Sequence, residues 1–168
     1  MKTLIRNIFV ATVLSPLIAY VYLRSLSDGR KKVVALVGPS LTRAAKHSLR
    51  YWVPALDRPE DFDRFAPSMK SRFWIWKLLY DFVVIEETRD IFKLRISNCP
   101  FCEVLKAMGL PELGPYVCEG DWAKAGENSD KWTFDRQHQI GTGDSFCDHT
   151  YMRKRSSSKA GPHLSRKA

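Results

Sequence analysis

The fold is decided by residues 82–100, which read FVVIEETRDIFKLRISNCP. The first half of this stretch is rich in β-branched side chains, Arg89-Asp90 forms a turn, and residues 91–96 alternate apolar and charged side chains. This pattern predicts a β-hairpin. Cys99-Pro100 follows, and a proline at the first helical position predicts a helix with Cys99 as its N-cap and Gly109 at its end.

The regions on either side of the hairpin predict an α+β fold. Apolar residues recur at helical spacing from about 30 to 54, and residues 68–80 form a further helical candidate. Residues 131–140 and 146–152 alternate and predict two more strands around a glycine-rich turn. We therefore expect N-terminal helices followed by a small antiparallel sheet that is interrupted by one helix. Residues 116–122 are too mixed to assign, and we interpret them as a helix or strand end that faces a cleft.

Charge divides the chain into three parts. The net charge is +9, yet residues 33–152 contain 15 Lys/Arg and 17 Asp/Glu, so the excess of positive charge lies at the two ends. A nucleic-acid-binding domain carries its basic residues on a folded face, so we expect no nucleic-acid partner. The predicted organisation is a hydrophobic segment over 1–28, an α+β domain over 29–152 and a basic disordered tail over 153–168.

The N-terminal segment contains sixteen consecutive uncharged residues, 8–23. As a helix they would extend roughly 24 Å, and flanking residues lengthen the apolar segment toward the roughly 30 Å of a hydrocarbon core. We expect a single-pass anchor through residues 4–23, with the domain on the cytoplasmic side because the following basic residues are slightly in excess. A signal peptide, which would place the protein outside the cytoplasm, and a buried core helix are the alternatives.

All four cysteines, Cys99, Cys102, Cys118 and Cys147, lie in the second half of the chain. They are compatible with packed small side chains, with a catalytic thiol, or with a zinc site made by all four thiolates. The neighbouring residues favour catalysis. The N-terminus of a helix would stabilise the thiolate of Cys99. Cys118 is followed by the acidic residues Glu119 and Asp121. Cys147 is followed by the acidic Asp148 and by His149, a potential base.

The succession of four motifs resembles the L-2-amino-thiazoline-4-carboxylic acid hydrolase-like family. The motifs are Cys99-Pro100, the GLPEL segment at 109–113, CEGD at 118–121 and Cys147-Asp148, and the resemblance covers about residues 96–152. The family's namesake uses water to open the thiazoline ring of a cysteine precursor. This resemblance implies a hydrolase that opens a cyclic C–N or C–S bond in a small substrate.

The expected site follows from these motifs and from the chemistry of the residues. Cys118 is the expected nucleophile, His149 moves protons, and Asp121 or Glu119 holds a cationic group of the substrate. Cys99, Cys147 and Asp148 complete the substrate-binding set, and no cofactor is expected apart from the zinc alternative. The competing hypothesis is a non-catalytic, membrane-tethered ligand-binding module or a subunit of a larger assembly.

Overall fold

A computed structural model describes residues 2–154. Its helices are α1 (Lys2–Asp28), α2 (Arg30–Ser48), α3 (Phe65–Lys70), α4 (Phe73–Leu79), α5 (Pro100–Ala107) and α6 (Gly114–Gly126). Its strands are β1 (Phe82–Glu87), β2 (Ile91–Ile96), β3 (Trp132–Asp135) and β4 (Cys147–Arg153). Short 3₁₀ turns lie at Leu49–Tyr51, Pro59–Arg64, Pro111–Leu113 and Ile140–Thr142.

The four strands form one antiparallel sheet in the order β1-β2-β4-β3. The β1–β2 hairpin is present, as its alternating sequence predicted. Strand β4 pairs with β2, so that Cys147 lies opposite Ile96 and His149 opposite Leu94. Because side chains alternate between the two faces of a strand, Cys147 and His149 both point to the buried face of the sheet.

The first core cluster is built from helices and includes α1. Val10 and Ile18 of α1 are buried together with Val33 of α2 and with Leu105 and Leu110 near α5. Arg6, also buried, donates a 3.0 Å hydrogen bond to Asp81 in an ion pair just before β1. Helix α1 therefore packs on the domain along one face, and the boundary expected at residue 28 stays a prediction.

A second core cluster fills the space between the sheet and α3. Phe65 contacts Phe92, Trp132 and Tyr151, with ring centroids 4.9–6.2 Å apart. Helix α6 lies against α2, where the position of a Cβ on Gly120 would be only 2.6 Å from the Cβ of Ala45. Glycine is therefore needed at 120 for this close approach of the two helices, which fixes the position of α6 over the sheet.

The α+β prediction is confirmed, and the differences are local. Two α-helices, α5 and α6, separate β2 from β3, because the segment left unassigned at 116–122 is the middle of α6. Strand β3 ends at Asp135, well before residue 140, because Arg136 turns into the protein to make an ion pair. The basic tail predicted over 153–168 lies outside the described residues from 155 onward.

Helix α1 is the one described helix that is long and apolar enough to cross a bilayer. Within its most apolar 18 residues, 28% are buried in the protein, and large side chains such as Leu4, Ile8 and Leu23 are exposed. A signal sequence or a core helix satisfies the same criterion of length and composition. The structure thus supports an apolar N-terminal helix.

Candidate active site

Helix α6 contributes two of the expected residues to one face. Cys118 is buried and Asp121 is half-buried, and residues three apart on an α-helix lie on the same side. Both line a cavity that the sheet also borders. Glu119, one position after Cys118, is exposed and lies away from this cavity. Of the two carboxylates considered for the substrate, the structure places Asp121 at the cavity.

Strand β4 contributes Cys147 and His149 to the same cavity. Cys99 reaches it from the N-cap of α5, as the Cys-Pro pair predicted. Asp148 points away from this face of the sheet and accepts hydrogen bonds from the backbone N–H groups of Gln137 (3.1 Å) and His138 (2.6 Å). Asp148 therefore holds the loop before β4. The three sulfurs of Cys99, Cys118 and Cys147 converge on one cavity although they are far apart in the sequence.

The thiols of Cys102 and Cys147 interact with Cys118. Their interaction with its sulfur lowers the pKa of Cys118 well below its usual range although burial opposes the shift, while the Cys102 thiol also points to the carbonyl oxygen of Gly114 at 4.0 Å. The positive charge of Arg136 lowers this pKa further. The pKa values of Cys102 and Cys147 are raised, because each holds its proton against the Cys118 thiolate. Cys118 is thus the thiol that ionises first.

Two consecutive backbone amides are directed at the sulfurs of the site, and the second of them helps to lower the pKa of Cys118. The N–H of Ile140 donates to the sulfur of Cys147 at 3.2 Å, and the N–H of Gly141 donates to Cys118. The position of a Cβ on Gly141 would be 2.5 Å from the Cys118 sulfur and 2.5 Å from the carbonyl oxygen of Gly114. A side chain at 141 would therefore displace the thiol, so this position requires glycine.

Arg136 is a central site residue that the sequence analysis did not select. It donates hydrogen bonds to Asp121 (2.6 Å), to the carbonyl oxygen of Cys118 (3.0 Å) and to the side chain of Gln139 (2.7 Å). Its side chain is 1% exposed. In the sequence, Arg136 continues the alternation of Trp132 and Phe134, and this pattern could have indicated that its side chain points inward. Its ion pair fixes Asp121 beside Cys118.

His149 is suited to act as a base. It is 5% exposed, and burial lowers its pKa, although Asp121 with its oxygen 3.7 Å from Nε2 acts in the opposite direction. The imidazole is therefore neutral at neutral pH. Its Nδ1 has no hydrogen-bond partner among the described residues. A buried ring nitrogen without a partner is available to a substrate or a water molecule.

The cavity has a volume of about 340 Å³. Its reactive groups come from α6, β4 and the start of α5, whereas apolar side chains form most of the remaining wall. These include Leu14, Leu41, Trp52, Trp76 and Phe101. Tyr80, which follows α4, also borders the cavity, and burial raises its pKa so that its hydroxyl stays protonated. Nothing in the sequence indicated Tyr80.

The described residues contain no group of three or more His, Cys, Asp or Glu side chains arranged to hold a metal ion. The zinc alternative with Cys99, Cys102, Cys118 and Cys147 as ligands stays a prediction. The same four cysteines are free thiols in the structure.

Comparison with known protein families identifies the chain. Residues 6–151 match the model of the L-2-amino-thiazoline-4-carboxylic acid hydrolase family. The chain belongs to this family. The match includes almost all of α1, so this helix lies within the family's common region. No curated protein and no solved structure matches the chain.

Proposed function

We propose that the protein is a thiol-dependent hydrolase that opens a cyclic C–S or C–N bond in a small heterocycle. The observation that carries this proposal is the ionisable Cys118 thiol in one cavity with the neutral base His149 and the carboxylate of Asp121. Nucleophile, base and orienting group within one concave site are the usual elements of covalent catalysis. Membership of a hydrolase family supports the same reaction type.

The reaction can be written with these residues alone. The Cys118 thiolate adds to the ring carbon that lies between nitrogen and sulfur, and the electron pair of the C=N bond moves to the protonated ring nitrogen. The lone pair of that nitrogen then re-forms the C=N bond as the ring carbon–sulfur bond breaks, the bond's electron pair goes to the leaving sulfur, and the proton on the nitrogen passes to this sulfur. The substrate is now bound to Cys118 through a thioimidate-type C–S bond.

Water completes the hydrolysis. His149 accepts a proton from water as the water oxygen adds to the same carbon and the C=N electron pair moves to the nitrogen, and His149 then gives this proton to that nitrogen. Collapse of the adduct forms the C=O bond, releases the hydroxyl proton to solvent and returns the electron pair of the C–S bond to Cys118 as thiolate. Asp121, held by Arg136, keeps the imidazole in place and stabilises its transient positive charge. The net change is the addition of one water molecule across the ring bond.

The form of the cavity favours a protein that takes up a small molecule over a subunit whose cleft is packed. Of the two non-catalytic alternatives, the subunit of a larger assembly is the one whose cleft would be filled by aromatic residues such as Trp122 or Trp132, whereas a ligand-binding module would have an open cleft. Trp132 is buried in the second core cluster, Trp122 is partly exposed, and neither borders the cavity. The space next to Cys118 is open to a ligand.

The test is the substitution Cys118→Ser, measured on 2-amino-2-thiazoline by the release of free thiol. We expect turnover to fall by at least roughly 1,000-fold, because an alcohol of high pKa replaces a thiolate. Thermal unfolding of the variant shows whether the fold is kept. A folded Cys118→Ser protein with unchanged turnover contradicts the proposed nucleophile.

We also propose that the outer face of α1 attaches the protein to a membrane surface, with the helix lying along the interface. Ile5 and Phe9 of α1 and Ile75 and Leu78 of α4 border one apolar groove of about 700 Å³. These four side chains are 38–61% exposed. Trp74, next to the groove in sequence, is 69% exposed. Aromatic residues of this kind are typical of membrane interfaces.

The packing of α1 favours attachment along one face over a complete crossing. To span a bilayer, α1 would have to leave the core cluster that it forms with α2 and α5, and its buried Arg6 would lose the ion pair with Asp81. Arg72, just before α4, and Lys77, on α4, are basic residues close to the groove in sequence, which fits an anionic lipid surface, whereas Lys2 and Lys70 are paired with Asp81 and Glu87.

Vesicle flotation tests this attachment. The wild-type protein is expected to float with phosphatidylglycerol vesicles and to be released by alkaline carbonate. The pair Ile5→Glu and Phe9→Glu should abolish flotation, whereas Leu36→Glu, an equally exposed position on α2, should not. Resistance to carbonate would instead support a spanning helix, and no flotation at all would contradict membrane attachment.

A further inference from the structure

We propose that the cavity selects an apolar heterocycle that is neutral or cationic and carries no carboxylate. This inference rests on the proposed function and names its substrate class. It separates this chain from the carboxylated, amino-acid-like substrate after which the family is described.

The charges of the side chains around the cavity disfavour an anionic substrate. Among the side chains of residues 2–154 that line the cavity there is no Lys or Arg, and the carboxylate of Asp121 is their one fixed charge. His149 is neutral because burial lowers its pKa. The Cys118 thiolate adds a second negative charge at the point where the substrate reacts. A substrate carboxylate would therefore meet negative charge and no counter-ion.

The nearest buried cation does not serve an anionic substrate. Arg136 is 1% exposed, does not line the cavity and already donates to Asp121, to the Cys118 carbonyl oxygen and to Gln139. On α2, which borders the other side, Lys46 is paired with Glu127 at 2.6 Å. Burying a charged group without a partner is strongly unfavourable.

The rest of the wall defines the body of the substrate. Trp52, Trp76, Phe101 and Leu41 offer apolar and aromatic surface. The cavity volume of about 340 Å³ equals that of roughly eleven liquid water molecules at about 30 Å³ each. This space holds a heterocyclic ring together with an apolar substituent such as a phenyl group. A protonated ring nitrogen would complement Asp121 and the thiolate, and would bring the proton that the addition step needs.

A matched pair of compounds tests this substrate class. They are 2-phenyl-2-thiazoline-4-carboxamide and 2-phenyl-2-thiazoline-4-carboxylate, which have nearly the same shape and differ in charge. Binding is measured by intrinsic tryptophan fluorescence, to which Trp52 and Trp76 at the cavity contribute, on the full chain carrying Cys118→Ala. This variant keeps Asp121 as the fixed negative charge of the cavity, and the full chain keeps the basic residues after 154. We expect the carboxamide to bind at least roughly 30-fold more tightly than the carboxylate. This factor corresponds to the cost of bringing an unpaired carboxylate, which retains part of its solvation, into the cavity.

A gain-of-binding variant keeps the test independent of catalysis. Ser48 lies at the exposed rim of the cavity, and Ser48→Lys should reduce the preference for the carboxamide to within roughly 3-fold by giving the carboxylate a partner. If the Cys118→Ala protein that keeps Ser48 binds the carboxylate as tightly as the carboxamide, or more tightly, the inference is overturned. A preference for the carboxamide without hydrolysis by the wild-type protein keeps the inferred ligand class and overturns the hydrolase proposal.

Discussion

The ion pair between Arg136 and Asp121 gives the sharpest prediction about how the site is held. The side chains are 1% and 16% exposed, and the charged nitrogen and oxygen are 2.6 Å apart. Replacement of Arg136 by Met removes the cation and leaves the carboxylate of Asp121 inside the protein without its partner. Breaking a buried pair in this way costs about 3–5 kcal/mol, and we expect the free energy of unfolding to fall by about 3 kcal/mol because Asp121 keeps some access to water.

A double-mutant cycle separates this effect from lost packing. In the Asp121→Asn background the second substitution, Arg136→Met, leaves no buried carboxylate, so its cost should fall by about 1.5–2 kcal/mol. Urea unfolding followed by tryptophan fluorescence measures all four proteins. Additive effects, or a single-variant cost below about 1 kcal/mol, would refute the view that this pair holds the site together.

The same substitution has a chemical consequence. Arg136 is one of the groups that lower the pKa of Cys118, so the pKa of this thiol should rise in Arg136→Met. The rate of iodoacetamide alkylation at Cys118, followed by peptide mass spectrometry as a function of pH, reports this change. An unchanged alkylation profile in a folded variant would mean that the thiols and the Gly141 amide stabilise the thiolate without the arginine.

Three further predictions concern the base, the close contact at 141 and the place of α1. The substitution His149→Gln should lower kcat/KM by about 10²–10⁴. Because burial lowers the folded pKa of His149, the stability of the wild-type protein should begin to decrease as pH falls below the usual histidine value of about 6.5, whereas its activity should decrease only at lower pH, as the folded imidazole becomes protonated. His138→Gln is the exposed control, and an equal loss in both variants would contradict the assignment. Gly141→Ala should reduce turnover at least roughly 10-fold and stability by about 1–3 kcal/mol, because its Cβ would overlap the Cys118 sulfur, whereas Gly126→Ala meets no atom within 4 Å and should leave turnover unchanged. Ile18→Ala should lower the free energy of unfolding by about 2–5 kcal/mol, whereas Leu23→Ala, at an exposed position, should lower it by less than about 0.5 kcal/mol. Urea unfolding measures both, and equally small effects would show that α1 is not part of the folded core.

The sequence predicted those features that depend on local pattern. Alternation identified the β1–β2 hairpin and placed Cys147 and His149 on one strand, and the Cys99-Pro100 pair identified the start of α5. These signals involve neighbours in sequence, which is why they could be read without the fold.

The features that the sequence did not predict depend on long-range packing. Residues 116–122 contain glycine, a β-branched residue and charges, so their helix is stabilised by the contact of Gly120 with Ala45 on α2. The alternation with Trp132 and Phe134 pointed Arg136 inward, but its role depends on Asp121 and Gln139, which only the fold brings around it. Glu119 and Asp148 both follow a cysteine directly, yet successive residues point in different directions, so Glu119 faces solvent and Asp148 holds backbone amides.

The most direct test of the account is intact-protein mass spectrometry of the enzyme quenched in acid during turnover of 2-phenyl-2-thiazoline, followed by peptide mapping. The account predicts a mass increase equal to the ring-opened substrate, located on Cys118 and absent from Cys118→Ser. Hydrolysis that proceeds at full rate with no adduct on Cys118, or with the adduct on Cys99 or Cys147, would contradict it.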